Sequence, residues 1–171
     1  MIYITSDTHF FHKRLLEWET RKKGDEAKIL ESWSKLGKGD TLIFLGDFQL
    51  GKAEGKSRND SMSYILNTYL KDVNKVFILG NHDKESMPKY YNLGWNFVCD
   101  SVSLRFNHRN IVLTHEPLEI GDFSDINIHG HHHGKYGFIN KMKDGTFRID
   151  ISVDNTNMKP MPIDAIVKLC I

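Results

Sequence analysis

Five short clusters hold the residues of this 171-residue chain whose types can do chemistry. They are Asp7-Thr8-His9, Gly46-Asp47, Gly80-Asn81-His82-Asp83, His115-Glu116-Pro117 and Gly130-His131-His132-His133. Carboxylate, imidazole and carboxamide groups without thiolate suit hard and borderline divalent ions such as Mn, Fe, Zn, Ni or Co. A pair of such ions needs one carboxylate able to bridge them. It also needs several neutral donors, so that the centre stays positive enough to hold an anion. Asp7/His9 and His131/His133 alternate, and on an extended chain alternate side chains point the same way. Glycine before Asp47, Asn81 and His131 permits a sharp turn or a positive φ. The two cysteines, Cys99 and Cys170, stand apart from every cluster and from each other. They read as core thiols, not as a disulfide framework.

Each cluster follows a predicted buried strand: residues 2–6, 41–45, 75–79, 110–114 and 126–129. Ligands of open α/β sheets bind at the carboxyl ends of strands, so these clusters can converge on one pocket. Residues 25–36 read as a helix capped by Asp25, with Leu30, Trp33 and Leu36 at helical spacing. Residues 51–59 read as a loop. Met62, Ile65, Leu66, Tyr69 and Leu70 form the apolar stripe of a second helix. Beyond it, residues 96–106 and 110–114 flank a turn at Asn107-His108-Arg109. Residues 136–141 and 147–153 flank Lys143-Asp144-Gly145-Thr146, a hairpin signal, and residues 165–169 read as a last strand. The pattern predicts a mixed α/β sandwich, with two facing sheets and helices outside. No repeat or linker divides it, so one domain over 1–171 is expected.

A net charge of +1 gives no electrostatic reason for a nucleic-acid coat or a membrane surface. An apolar fraction of 40% excludes a disordered chain. The amino terminus lacks a basic n-region and an apolar h-region, and no stretch reaches the length of a membrane span. A cytoplasmic location and no membrane partner are expected.

In order and spacing, Asp7-x-His9, Gly46-Asp47, Gly80-Asn81-His82-Asp83, His115 and Gly130-His131-x-His133 resemble the calcineurin-like metallophosphoesterase superfamily. The closing segment Asp150-Ile151-Ser152-Val153-Asp154, with Pro160, is similar to the carboxyl end of small bacterial and phage members. The resemblance implies a four-layer α/β/β/α sandwich of two mixed sheets and two divalent metal ions, Mn first among them. Asp7, His9, Asp47 and His133 would hold one ion. Asp47, Asn81, His115 and His131 would hold the other, with Asp47 bridging. It implies attack on phosphorus by a hydroxide between the metals. His82 would protonate the leaving oxygen or steady the phosphoryl group, and Asp83 would orient His82. Many phosphoprotein phosphatases of the superfamily read GDxVDRG after the second strand. This chain reads Gly46-Asp47-Phe48-Gln49-Leu50-Gly51 and lacks that arginine. Small members often read DTHFGH, whereas Phe11 takes the glycine position here. Its ring could narrow the pocket mouth or stack on a base.

The expected activity is hydrolysis of small, nucleotide-like phosphodiesters, with no obligate nucleic-acid partner. Two alternatives belong to other classes. One is a scaffold of the same fold without catalysis, as in a retromer subunit; the full ligand set opposes it. The other is a nuclease on longer DNA or RNA, using a groove near Lys52, Lys56 and Arg58. His12 and Arg58 are candidate substrate contacts, against readings as a helix-start residue and a solvated charge. His132 should turn away from the metals. His129 and His108 read as structural or surface, and Phe10, Phe11 and Trp18 read as core.

Overall fold

The computed structural model describes residues 1–17, 20–119 and 124–170. Trp18 lies outside the described residues.

Two sheets form. In the first, β1 (Ile2–Thr5), β2 (Thr41–Leu45), β3 (Asn74–Ile78) and β4 (Phe97–Cys99) run parallel. β10 (Met161–Pro162) adds antiparallel to β1, giving the order β10-β1-β2-β3-β4. The second sheet contains β5 (Val102–Phe106), β6 (Arg109–Leu113), β7 (Ile126–His129), β8 (Ile139–Lys141) and β9 (Phe147–Asp150), in the order β5-β6-β7-β9-β8. β5/β6 and β8/β9 are the expected hairpins, but β6, β7 and β9 are mutually parallel. The run 96–106, read as one piece, breaks at Asp100-Ser101: its first half closes one sheet and its second half opens the other.

The strands of the first sheet are apolar on both faces, as parallel strands covered on both sides must be. On one face Leu42, Phe44, Phe77 and Val98 meet α2 (Asp25–Trp33), α3 (Arg58–Tyr69) and α4 (Met87–Leu93) through Ile29, Trp33, Ile65, Leu66 and Tyr90. On the other, Ile4, Ile43, Leu45 and Ile78 meet Ile111, Leu113, Ile126, Ile128 and Ile149 of the second sheet. The architecture is thus α/β, two mixed sheets with helices.

Several sequence expectations are corrected. Residues 165–169 belong to α5 (Ile163–Lys168), a helix and not a strand. Ile163, Ile166, Val167 and Cys170 fall at helical spacing and pack between the sheets, and a short apolar run does not declare its period by itself. Asp25 is not the cap of α2. Gly24 occupies that position with φ 98°, and the Asp25 carboxylate accepts the Lys22 N–H at 2.8 Å. α2 stops at Trp33, short of Leu36. α3 starts inside the expected loop, because the Ser57 side chain accepts the Asp60 N–H at 3.1 Å. α1 (Arg14–Glu17) begins two residues after His12, in keeping with its reading as a helix-start residue; α4 was not foreseen, and has Ser86 before it, Pro88 in its first turn and Gly94 after it. Cys170 is buried, Cys99 half-buried, and both are free thiols. Among the described residues, no helix is long and apolar enough to cross a membrane.

Candidate metal centre

Backbone hydrogen bonds tie the loop after β1 to the loop after β2, and the loop after β6 to the loop after β7; carboxylates of Asp47 and Asp83 tie in the loop after β3. Asp7 N–H donates to Gly46, His9 N–H to Asp47, and Gly130 N–H to His115, at 3.0, 3.0 and 2.9 Å. The Asp7 carboxylate crosses between sheets and accepts the His131 N–H at 3.0 Å. Extended-chain alternation is not what aims the side chains. Asp7, His9, Asp47, His131 and His133 all have left-handed backbones, with φ of 57°, 45°, 61°, 70° and 51°. Such conformations cost about 1–3 kcal/mol each in non-glycine residues and persist where the surroundings over-determine them. Gly46, at φ 82°, starts the turn that carries Asp47. At Gly130 a side chain would collide with the Asp7 carboxylate and with Ser6.

One group of donors gathers around Asp7. His133 Nε2 lies 3.1 Å from His9 Nε2 and 3.6 Å from Asp7 Oδ1. His133 Nδ1 is 2.7 Å from Asp154 Oδ2, so with Asp154 ionised that nitrogen carries the hydrogen, and in the neutral ring Nε2 presents its lone pair. Asp7 Oδ1 is buried and accepts no hydrogen bond. Burial pushes the Asp7 carboxyl up to about 6. Burial, then the neighbouring His133 and Arg21, pushes the His9 imidazolium down to about 2. His9 is therefore neutral.

A second group gathers around Asn81. Its carboxamide oxygen is 2.8 Å from His115 Nε2 and 3.1 Å from His131 Nδ1, and those nitrogens are 3.3 Å apart. His115 Nδ1 donates to the Leu45 carbonyl at 2.8 Å, which leaves Nε2 of the neutral ring as an acceptor. The 2.8 Å approach of His115 Nε2 to the Asn81 oxygen thus brings two acceptors together. A cation among the three atoms removes that repulsion. Metal–nitrogen bonds of about 2.0–2.1 Å place neighbouring ligand atoms roughly 3 Å apart, as they are here. Asp47 lies between the groups, with Oδ2 3.7 Å from His9 Nε2 and 3.5 Å from His115 Nε2. Asp7, His9 and His133, and likewise Asp7, Asp47 and His115, can each close around one ion. The donors fit divalent metal.

His82 stands at the rim with its side chain 46% exposed and Nε2 3.9 Å from Asp47 Oδ2. Its backbone N–H donates to Asp47 Oδ1 at 2.9 Å. Asp83 does not take the expected partner. Its carboxylate accepts the backbone N–H groups of Asp47, Gly80 and Phe48 at 2.6, 2.9 and 3.4 Å, so it shapes the Asp47 turn. Chain direction explains this: Asp83 is buried beneath the loop while the neighbouring His82 is exposed above it.

A profile of the calcineurin-like phosphoesterases matches residues 1–159. The chain belongs to the calcineurin-like phosphoesterase family. Calcineurin-like phosphoesterases are metal-dependent, and the two donor groups are the candidate ligands of this one. Membership also points to hydrolysis of phosphoric esters. An uncharacterized protein of Methanocaldococcus jannaschii is 31% identical over 98% of this chain and 90% of its own length. A protein of unknown function from Aquifex aeolicus superposes with a TM-score of 0.72 at 26% identity, covering 99% of this chain and 98% of that one. Yfce, a phosphoesterase from E. coli, shares the fold: TM-score 0.54 and 16% identity over 95% of this chain and 81% of that one.

In this calcineurin-like phosphoesterase a cavity of about 430 Å³ opens beside the donors, lined by His9, His12, Leu15, Thr20, Leu50, His82, His133 and Asp154. His12 therefore lies where a substrate could touch it. Arg58 does not line it. Its guanidinium donates to the carbonyls of Gln49 and His82 and props the loop from behind. Phe11 is not at the mouth either; it packs on the helix-side core beside Phe10. His132 turns away, its ring against Tyr136 at 4.7 Å. His129 is buried and bonded to the Gly130 carbonyl, and His108 sits in the exposed β5–β6 turn. Arg21 was missed from the sequence. It is buried against Asp154 and the carbonyls of Asp7 and Thr8. No motif announces it, because its partners lie far away along the chain.

Proposed function

We propose that this calcineurin-like phosphoesterase is a dinuclear metal-dependent phosphodiesterase acting on small, nucleotide-like diesters. The observation that carries the reading is the place of Asp47, whose Oδ2 faces His9 on one side and His115 on the other. In this reading Asp7, His9, Asp47 and His133 hold one ion, and Asp47, Asn81, His115 and His131 hold the other. Mn is the first candidate, with Fe, Zn, Ni and Co compatible with the same donors. Bound divalent ions supply Lewis acidity to phosphate oxygens and lower the pKa of water towards 7.

The chain's own groups do the rest. Neutral imidazoles and one carboxamide leave net positive charge for an anion. His82, exposed at the rim and close to Asp47, donates a proton to the departing ester oxygen. The cavity beyond it supports a diester preference. Its described lining has no lysine or arginine to balance a second phosphate charge, and Leu15 and Leu50 offer apolar cover for a second ester group.

The test is hydrolysis of bis-p-nitrophenyl phosphate and p-nitrophenyl phosphate by metal-stripped protein, with and without Mn, beside Asp47→Asn. Mn-dependent cleavage of the diester that Asp47→Asn abolishes supports the proposal. Faster cleavage of the monoester overturns the diester preference. Metal binding without cleavage of either ester, under any of these ions, overturns catalysis and favours a scaffold.

A further inference from the structure

Asp154 follows β9 by four residues, and Arg21 lies in the loop between α1 and α2. They are 133 positions apart, yet they form a two-point ion pair: Arg21 Nε reaches Asp154 Oδ1 at 2.9 Å and Nη2 reaches Oδ2 at 3.0 Å. A planar guanidinium against a carboxylate in this way fixes the carboxylate's rotation as well as its charge. Two further guanidinium N–H groups donate to the backbone carbonyls of Thr8 and Asp7. Arg21 is 5% exposed, so water does not compete for these bonds.

Asp154 Oδ2 has a second donor, His133 Nδ1 at 2.7 Å. An ionised carboxylate only accepts, so His133 must keep its hydrogen on Nδ1. A free imidazole exchanges its hydrogen between two nitrogens. This one cannot without losing a charge-assisted bond, and so its Nε2 lone pair stays aimed at His9 Nε2 and Asp7 Oδ1. One ion pair therefore grips the first-sheet loop by the Asp7 and Thr8 carbonyls and the second-sheet loop by the His133 ring.

We propose that Asp154, locked by Arg21, is a positioning residue that keeps His133 in the tautomer whose Nε2 lone pair faces Asp7 and His9. Its consequence for metal rests on the two-ion reading above; its consequence for the tautomer does not. Asp154 borders the cavity, but the role proposed here is not contact with substrate. The effect of Asp154 and Arg21 runs through the ligand, as outer partners of metal-bound histidines generally act, and such partners are worth about 10–100-fold in metal affinity.

The experiment has two readouts on the full chain. The first is ring ¹⁵N NMR of the metal-stripped protein, which distinguishes hydrogen on Nδ1 from hydrogen on Nε2. At alkaline pH, where the ring is neutral, His133 is expected as the Nδ1–H form, and Asp154→Ala should release it to a mixture. The second is titration with Mn followed by electron paramagnetic resonance. Wild type should take up two ions, and Asp154→Ala should weaken one of them about 10–100-fold while sparing the other. Arg21→Met should give a smaller loss at the same ion. Asp154→Asn, whose carboxamide oxygen can still accept from Nδ1, should restore most of the tautomer. An unchanged His133 tautomer in Asp154→Ala, or in Arg21→Met should the alanine variant not fold, together with two unaltered Mn affinities, overturns the proposal. Wild type that binds fewer than two Mn ions while the tautomer still responds to Asp154 overturns the two-ion reading alone.

Discussion

The carboxylate of Asp83 accepts the backbone N–H of Asp47 at 2.6 Å. The same carboxylate satisfies Gly80 and Phe48, so three N–H groups of two loops depend on it. Asp83→Ala leaves them unpaired in a buried site, and a buried donor without a partner costs about 1–3 kcal/mol. We expect a loss of roughly 3 kcal/mol in urea unfolding, with weaker Mn binding, because the Asp47 turn loosens. Asp83→Asn should recover part of both. A variant as stable as wild type that loses only turnover would instead mean that Asp83 acts through His82.

His82 reaches the pocket from the rim and is not needed to gather the donors. His82→Ala should keep both Mn ions and lower kcat by about a hundredfold to ten-thousandfold, the usual span for a lost general acid. A leaving group that departs without a proton, such as p-nitrophenolate, should suffer least. Equal losses on good and poor leaving groups would remove His82 from proton transfer.

Asp7 is buried with Oδ1 unpaired, and its carboxyl is raised from 3.8 to about 6. Between those values the unfolded chain has lost the Asp7 proton while the folded, metal-free protein keeps it. Ionisation therefore favours unfolding, and this contribution lowers stability as pH rises from about 4 to about 6. Two pK units correspond to about 3 kcal/mol at most. Metal-free Asp7→Asn should lack this slope and should be more stable than metal-free wild type at pH 7, although it binds metal poorly. Urea titrations of both proteins in EDTA across pH 4–7 decide the matter. Parallel curves would contradict the burial cost assigned to Asp7.

Gly130 passes so close to Asp7 that any side chain strikes its carboxylate and Ser6. Gly130→Ala should cost about 1–3 kcal/mol, as overpacking does. It should also separate Asp7 from the His131 N–H, which now donates to it at 3.0 Å. Thermal unfolding and Mn titration of the variant measure the two effects. A neutral substitution would show that the loop can yield.

Much of the candidate site is legible in the chain order, because each donor cluster is local and follows a buried apolar strand. Asp7, Asp47, Asn81, His115 and His131 announce themselves by type and by the strand each one ends. Where those strands go is less legible. The break at Asp100-Ser101 sends β4 and β5 to different sheets, and α5 shows the same short apolar run that a strand would show.

Local pattern thus marked the candidate donors, the strands beneath them and the family, since residue type and strand burial are properties of a few neighbouring residues. Three things were decided only by tertiary structure: the left-handed turns that aim five of the donors, the partners of Asp83, and the Arg21–Asp154–His133 chain. Hydrogen bonds between groups 133 and 21 residues apart leave no periodicity, and a side chain's direction depends on a φ that only the packed loops impose.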